Sequence, residues 1–235
     1  MLMKMYYTIN ESLNPQIVGK DFPQCHDFIK GYNPYAEHAL ISLYDYIDAF
    51  PDYIPYLDGF KLAGSAKLTD FVSSAFCVNL FIVSERARQL LETYNLGPHR
   101  FYSLGLYKRN VRHNYYMLHI IINPDYTEDV NYSQSIFKEC GEYSIDENFG
   151  YHSISSRADF FAKREELKIV GRNLWSEKIV MSPSFDESLD LFMIVYFNSD
   201  NFISERLKNA IESEGLTGWE FTPAVNLVVP GRFNF

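Results

Sequence analysis

Six histidines, three cysteines, thirty carboxylates and eighteen tyrosines are the side chains with which this sequence could do chemistry. Their spacing builds no recognisable reaction centre. His26, His38, His99, His113, His119 and His152 form no H-E-x-x-H pair, and the two closest, His113 and His119, are separated by five residues, a gap that matches no zinc motif. Cys25, Cys77 and Cys140 stand singly at wide spacing, which suits buried, reduced thiols better than a disulfide framework. Gly59 and Gly64 are isolated, so no phosphate-cradling loop is present, and Ser65 lacks the G-x-S-x-G elbow of a hydrolase nucleophile. The neighbouring carboxylates Glu128-Asp129 and Asp186-Glu187 could move protons, but adjacent acids are common in exposed loops and define no acid/base pair by themselves. Tyr44, Tyr46, Tyr53 and Tyr56 could stack on bases, yet they sit among Asp45, Asp48, Asp52 and Asp58, which repel phosphate. The sequence therefore offers no catalytic, cofactor-binding or metal-binding residue.

The charge distribution is more informative. Of the net charge of -9, all arises in the second half: residues 1–117 carry 11 basic and 11 acidic side chains, whereas 118–235 carry 10 and 19. Between Asp125 and Glu147, seven carboxylates face Lys138 alone. Such a stretch repels nucleic acid and anionic membrane and attracts a basic protein. Asp125, Glu128, Asp129, Glu142, Asp146 and Glu147 are accordingly the candidate partner-binding residues; a solvated acidic loop that aids solubility is the alternative.

With 47% hydrophobic residues, 18 Tyr and 19 Phe, the chain has ample material for a packed core and for aromatic contacts at a surface. Its longest apolar runs, Ala75 to Val83 and Leu191 to Phe197, fall far short of the roughly 20 residues that cross a bilayer. The opening Met1 to Ile9 has no secretory h-region, so the expectation is a cytoplasmic location.

The elements that must position these side chains follow from periodicity. Met5 to Ile9 reads as a strand. Ala36, Leu40, Leu43, Ile47 and Phe50 repeat at helical spacing up to Pro51, which predicts an N-terminal helix. A segment near Arg157 to Leu167 reads as a further amphipathic helix. The main internal signal is a similarity at an offset of 120 residues: Ser84-Glu85-Arg86 recurs as Ser204-Glu205-Arg206, with six identities in 18 positions up to Phe101 and Phe221. In each copy a β-prone run leads to a Ser able to cap a helix, a Glu follows in the first turn, and Gly or Pro signals end the helix before the next β-prone run. The expected fold is α+β, with mixed sheets, two similar strand-helix-strand units packed together (about 65–123 and 185–235) and the N-terminal helix. The expected division is an N-terminal strand and helix segment, 1–64, before an α+β domain, 65–235.

With these segments placed, the chain resembles bacterial immunity proteins of polymorphic and contact-dependent toxin systems. The resemblance rests on Lys67-Leu68-Thr69-Asp70-Phe71, Leu80 to Ala87, Tyr115-Tyr116-Met117-Leu118, the acidic Asp125 to Ser133 stretch, Phe202 to Leu207, and Gly215 to Phe221. It spans roughly residues 65–225. Two departures stand out, the bulky Trp219 before the closing Phe and the extended acidic block. The resemblance implies a cytoplasmic protein that binds and neutralises a cognate toxin, and it brings no catalytic residues. Joined to the acidic stretch, it points to a basic toxin such as a nuclease, with no nucleic acid or membrane partner. The rival is an enzyme of unrecognised type with an aromatic-lined pocket, which a deep cavity with converging polar groups would favour.

Overall fold

The computed structural model describes residues 3–75, 79–122, 124–194, 196–197 and 200–230, of which 3, 124 and 125 are described by backbone alone. In chain order the strands are β1 (Met3–Lys4), β2 (Tyr6–Glu11), β3 (Cys25–Phe28), β4 (Asp58–Leu62), β5 (Phe71–Val72), β6 (Leu80–Ser84), β7 (His99–Lys108) and β8 (Val111–Ile120). They continue with β9 (Ile136–Gly141), β10 (Gly150–His152), β11 (Arg172–Val180), β12 (Leu191–Met193), β13 (Asn201–Ser204), β14 (Trp219–Pro223) and β15 (Leu227–Pro230). The helices are α1 (Pro15–Val18), α2 (Glu85–Leu91), α3 (Arg157–Ile169) and α4 (Glu205–Ser213). The fold is α+β with three sheets, and the parallel pairs β4/β7 and β11/β15 make two of them mixed. Strands from the first 64 residues enter all three sheets.

Local chemistry explains the main elements. Ser84, Ser156 and Ser204 each accept a backbone N–H two or three residues into α2, α3 and α4, and Glu85, Asp159 and Glu205 occupy the first turns, where the helix dipole favours negative charge. Lys108 pairs with Val111 across the two-residue loop Arg109-Asn110, both at positive φ, the backbone of a tight hairpin whose twist matches its strands.

The helix expected over 36–50 is absent; the structure has instead a 3-10 helix, Leu40–Asp45. His38 lies at φ 61, a left-handed conformation that interrupts any helical ladder through it. Leu40 and Leu43, three residues apart, both point into the core, a spacing that suits the tighter helix, while Ile47 is exposed. Cys25 and Cys140 are buried and free, with the Cys25 thiol pushed up to about 12 by burial; Cys77 lies outside the described residues. Among the described residues, no helix is long and apolar enough to cross a membrane.

Two sheets have the same order and the same antiparallel pairings: β12-β13-β2-β14 is one, and β5-β6-β8-β7 forms part of the six-stranded sheet that β3 and β4 extend. The helices α2 and α4 each leave the second strand of their series. One shared core joins the two, containing Phe71 and Leu191, Val83 and Ile203, Ala87 and Leu207, Leu91 and Ile211, and Leu96 and Leu216, every pair 120 residues apart. A second core lies under the six-stranded sheet, around Leu40, Leu57, Phe60 and Leu104. The third backs β11 and α3 and is rich in Phe: Phe160 stacks on Phe197 at 4.6 Å and meets Phe137 at 5.3 Å. That last core carries the sheet β1-β15-β11-β9-β10, on which the candidate site lies.

Candidate functional site

The acidic residues singled out by sequence fall into two groups. Asn131 N–H donates to Val180 O and Ser182 N–H to Asp129 O, so the turn carrying Glu128 and Asp129 sits at the C-terminal end of β11. Glu142 N–H donates to Gly171 O, which puts Glu142, Asp146 and Glu147, in the β9–β10 loop, at the N-terminal end of the same strand. At about 3.3 Å per residue, the nine residues of β11 hold the two groups roughly 30 Å apart. They share no single patch. Glu128 is exposed, Asp129 accepts a bond from Ser184 Oγ at 2.6 Å, and the Asp125 side chain lies outside the described residues.

Around the β9–β10 loop, charge is joined by apolar surface. Tyr143 is 93% exposed and Ile169, at the end of α3, 85%; Ile145, Phe149 and Val170 are exposed as well. Exposed aromatic and aliphatic groups gathered beside charged ones are the usual composition of a recognition surface. The loop is anchored from below: Lys138 Nζ donates to Ile145 O at 2.7 Å, Phe149 N–H donates to Glu139 O at 3.0 Å, and the Arg172 guanidinium lies 4.1 Å over the Phe149 ring. Beside it, a cleft of about 400 Å³ is lined by Glu142, Phe161, Arg164, Lys168, Arg172 and Tyr196, among others.

Further depressions lie elsewhere on the described surface. One, of about 300 Å³, lies along Tyr132, Ser135, Tyr151, His152 and Ser153; another, of about 330 Å³, lies between α2 and the loop after α4. The partner of His152 Nε2 is Glu139, at 2.7 Å, and no hydroxyl among the described residues hydrogen-bonds to this imidazole. His119 is fully buried, donates from Nε2 to Tyr46 O at 2.7 Å, and is held below the ordinary imidazole value by burial, so it is neutral at pH 7 and sits in the core. No three His, Cys, Asp or Glu side chains gather to hold a metal ion among the described residues.

Comparison with known families supplies the deciding observation: the profile of an immunity protein family (Imm11) matches residues 23–226. The chain belongs to this family. Its role is that of an immunity protein in a bacterial toxin system. No curated protein matches the sequence.

In this immunity protein, Glu139 is the hinge pin of the candidate surface. Nearly buried, it accepts from His152 Nε2 and from Arg172 Nη1, and these bonds, first that from His152, hold its carboxyl below the ordinary glutamate value. A folded-state pKa below the unfolded one contributes stability that is whole above the ordinary carboxylate range, about pH 4, and is lost as pH falls through the depressed value. Glu139→Gln should therefore cost roughly 1–2 kcal/mol at pH 7. The gap to the unaltered protein should narrow as pH falls below about 4; urea midpoints that stay equally separated at low pH would contradict this.

Sequence reading missed Arg164, Arg172 and Tyr196. The first lies in a helix full of Lys, Arg and Glu that reads as a solvated face. A usable signal was the spacing of Arg157, Phe160, Phe161 and Arg164, three to four residues apart, which places cations and rings on adjacent faces of α3.

Proposed function

We propose that this immunity protein binds and neutralises a cognate toxin in the cytoplasm of the producing cell, and that it docks the toxin on the face built by the β9–β10 loop and the end of α3. The observation that carries this reading is the concentration there of exposed Tyr143, Ile145, Phe149, Ile169 and Val170 among Glu142, Asp146 and Glu147. Aromatic anchors surrounded by a charged rim are where binding energy concentrates in protein interfaces. The carboxylates would steer a basic toxin, a nuclease being one such protein, and discourage nucleic acid and anionic lipid. The protein acts by occupation and not by catalysis. Glu128 and Asp129, at the far end of β11, form a second acidic surface that the same partner reaches only if it spans that strand.

The test is co-expression with the cognate toxin domain, sought first in the gene beside this one. The unaltered chain should restore growth and co-purify with the toxin. Reversing Glu142, Asp146 and Glu147 to Lys should lower protection and slow association, with the defect shrinking at high salt. Full protection by this triple variant, together with its loss in Glu128→Lys/Asp129→Lys, would move the docking face to the other end of β11.

We also propose that the two sheets of common order are copies of one unit, with β2 in the second filling the place that β8 fills in the first. Asp70 and Asp190, 120 residues apart, each accept from the serine that caps the helix of their own sheet, Ser84 and Ser204, which supports this.

A further inference from the structure

We propose that the cleft between α3 and β11 is a receptor for a single carboxylate of the protein partner, an Asp or Glu side chain or a chain terminus. This rests on the docking face proposed above and adds to it a cationic subsite of opposite sign to the neighbouring loop.

Arg164 lines the cleft from α3. Its guanidinium is half-buried, lies 5.0 Å from the centre of the Tyr196 ring and 5.8 Å from that of Phe160, and donates one long bond, 3.4 Å, to Tyr196 O. Burial lowers its pKa, yet a guanidinium stays charged. No carboxylate forms an ion pair with it among the described residues, whereas Arg172, on the other wall, is already held by Glu139. A planar cation with five donors, fixed between rings and short of acceptors, is a prepared fork for a planar bidentate anion.

Tyr196 adds an independent observation. It adopts φ 73, a left-handed conformation that costs a non-glycine residue about 1 kcal/mol, and so sets its ring against Phe161 at 5.2 Å and under Arg164. Strained residues of this kind collect at ligand sites, where the surrounding structure holds them in place.

The charge count selects the ligand class. Arg164, Lys168 and Arg172 line the cleft with Glu142 and Glu165; Arg172 is already paired with Glu139, so the remaining charges balance and Arg164 is, among the described residues, the cation without a carboxylate of its own. That suits one negative charge; a dianionic phosphate would meet Glu142 and Glu165 at close range. A volume near 400 Å³ leaves room for a side chain or a chain terminus.

The experiment has two arms. In the first, the full chain is titrated by NMR with a capped tripeptide, acetyl-Gly-Glu-Gly-amide, with its Gln counterpart, and with inorganic phosphate. The Glu peptide should perturb amides around residues 161–172, the Gln peptide should not, and Arg164→Met should abolish the response. Equal response to Glu and Gln peptides, or a stronger response to phosphate, would overturn the proposal. In the second arm, affinity for the toxin domain is measured: Arg164→Met should bind at least tenfold more weakly and Arg164→Lys should lose less. Wild-type affinity in Arg164→Met overturns the cleft while leaving the docking reading intact. Failure of the unaltered chain to bind the toxin overturns the docking reading, and the peptide arm still decides the chemistry of the cleft. If Arg164→Met melts far below the parent protein, Arg164→Gln replaces it in both arms.

Discussion

Asp190→Ala should destabilise the protein by about 3–5 kcal/mol, measured by urea unfolding at pH 7, because it removes the buried partner of a charged hydrogen-bond network. Asp190 is fully buried at the head of β12. Its carboxylate accepts from Ser204 Oγ at 2.5 Å, from Arg206 Nε at 2.7 Å and Nη2 at 2.5 Å, and from Asn95 N–H at 2.9 Å. Burial by itself would raise its pKa, but the bonds from Arg206, Ser204 and Asn95 prevail and hold it below the ordinary value. The stabilisation is accordingly complete at neutral pH and fades as pH drops through the depressed folded value. One side chain thus ties β12 to the capping serine of α4 and to the loop that follows α2.

Asp70, 120 residues earlier, plays the same part at β5 and α2. It accepts from Ser84 Oγ at 2.7 Å and from Thr217 N–H at 3.1 Å, so it braces the loop after α4. Each Asp therefore holds its own helix cap and the exit loop of the other helix. Gly218, at φ 112, lets that loop pass so close to β5 that an added Cβ would lie 1.9 Å from Phe71 O. The Asp70–Arg86 contact is looser, 3.9 Å, with Arg86 largely exposed, so Asp70→Ala should cost less, about 2 kcal/mol. Equal, small losses at both positions would remove the energetic case for two braced copies.

The parts of this fold that were legible in the sequence are those determined locally. Ser84 and Ser204 announce helix starts because a hydroxyl before an acidic first turn satisfies orphan N–H groups wherever it occurs, and α3 declares itself by its apolar spacing. The Ser-Glu-Arg similarity was visible too, but its cause was not, since Asp70 and Asp190 lie 14 residues upstream of the serines they bind. The same offset of 120 would have found them. What sequence could not supply was long-range pairing: β2 sits between β13 and β14, about 200 residues away or more. The 36–50 periodicity failed for a related reason, since apolar spacing cannot register a left-handed residue such as His38. The acidic stretch failed as one patch because proximity in sequence is undone when a strand runs between its members.

Because the two acidic groups lie at opposite ends of β11, substitution of the exposed rings locates the docking face. Tyr143→Ala and Phe149→Ala should each weaken toxin binding by about 2–4 kcal/mol if they are the anchors, roughly 30- to 1,000-fold in affinity, with the change mainly in the dissociation rate. Neither should much alter folding: Tyr143 is 93% exposed, and Phe149 lies on the surface over Arg172. The two should still differ. Phe149 orders the Arg172 guanidinium, which also lines the cleft beside Arg164, so its loss should couple to Arg164→Met in a double-mutant cycle by 0.5 kcal/mol or more, whereas Tyr143 should combine additively with it. Binding that survives both alanines at wild-type strength would exclude the hairpin face whatever the charge reversals show. Loss at Tyr143 without coupling at Phe149 would retain the face and detach the cleft from it. On the proposed docking reading, the acidic loop would steer a basic toxin to the surface and the exposed rings would hold it there, so affinity should follow the apolar contact more than the charge that first marked the site.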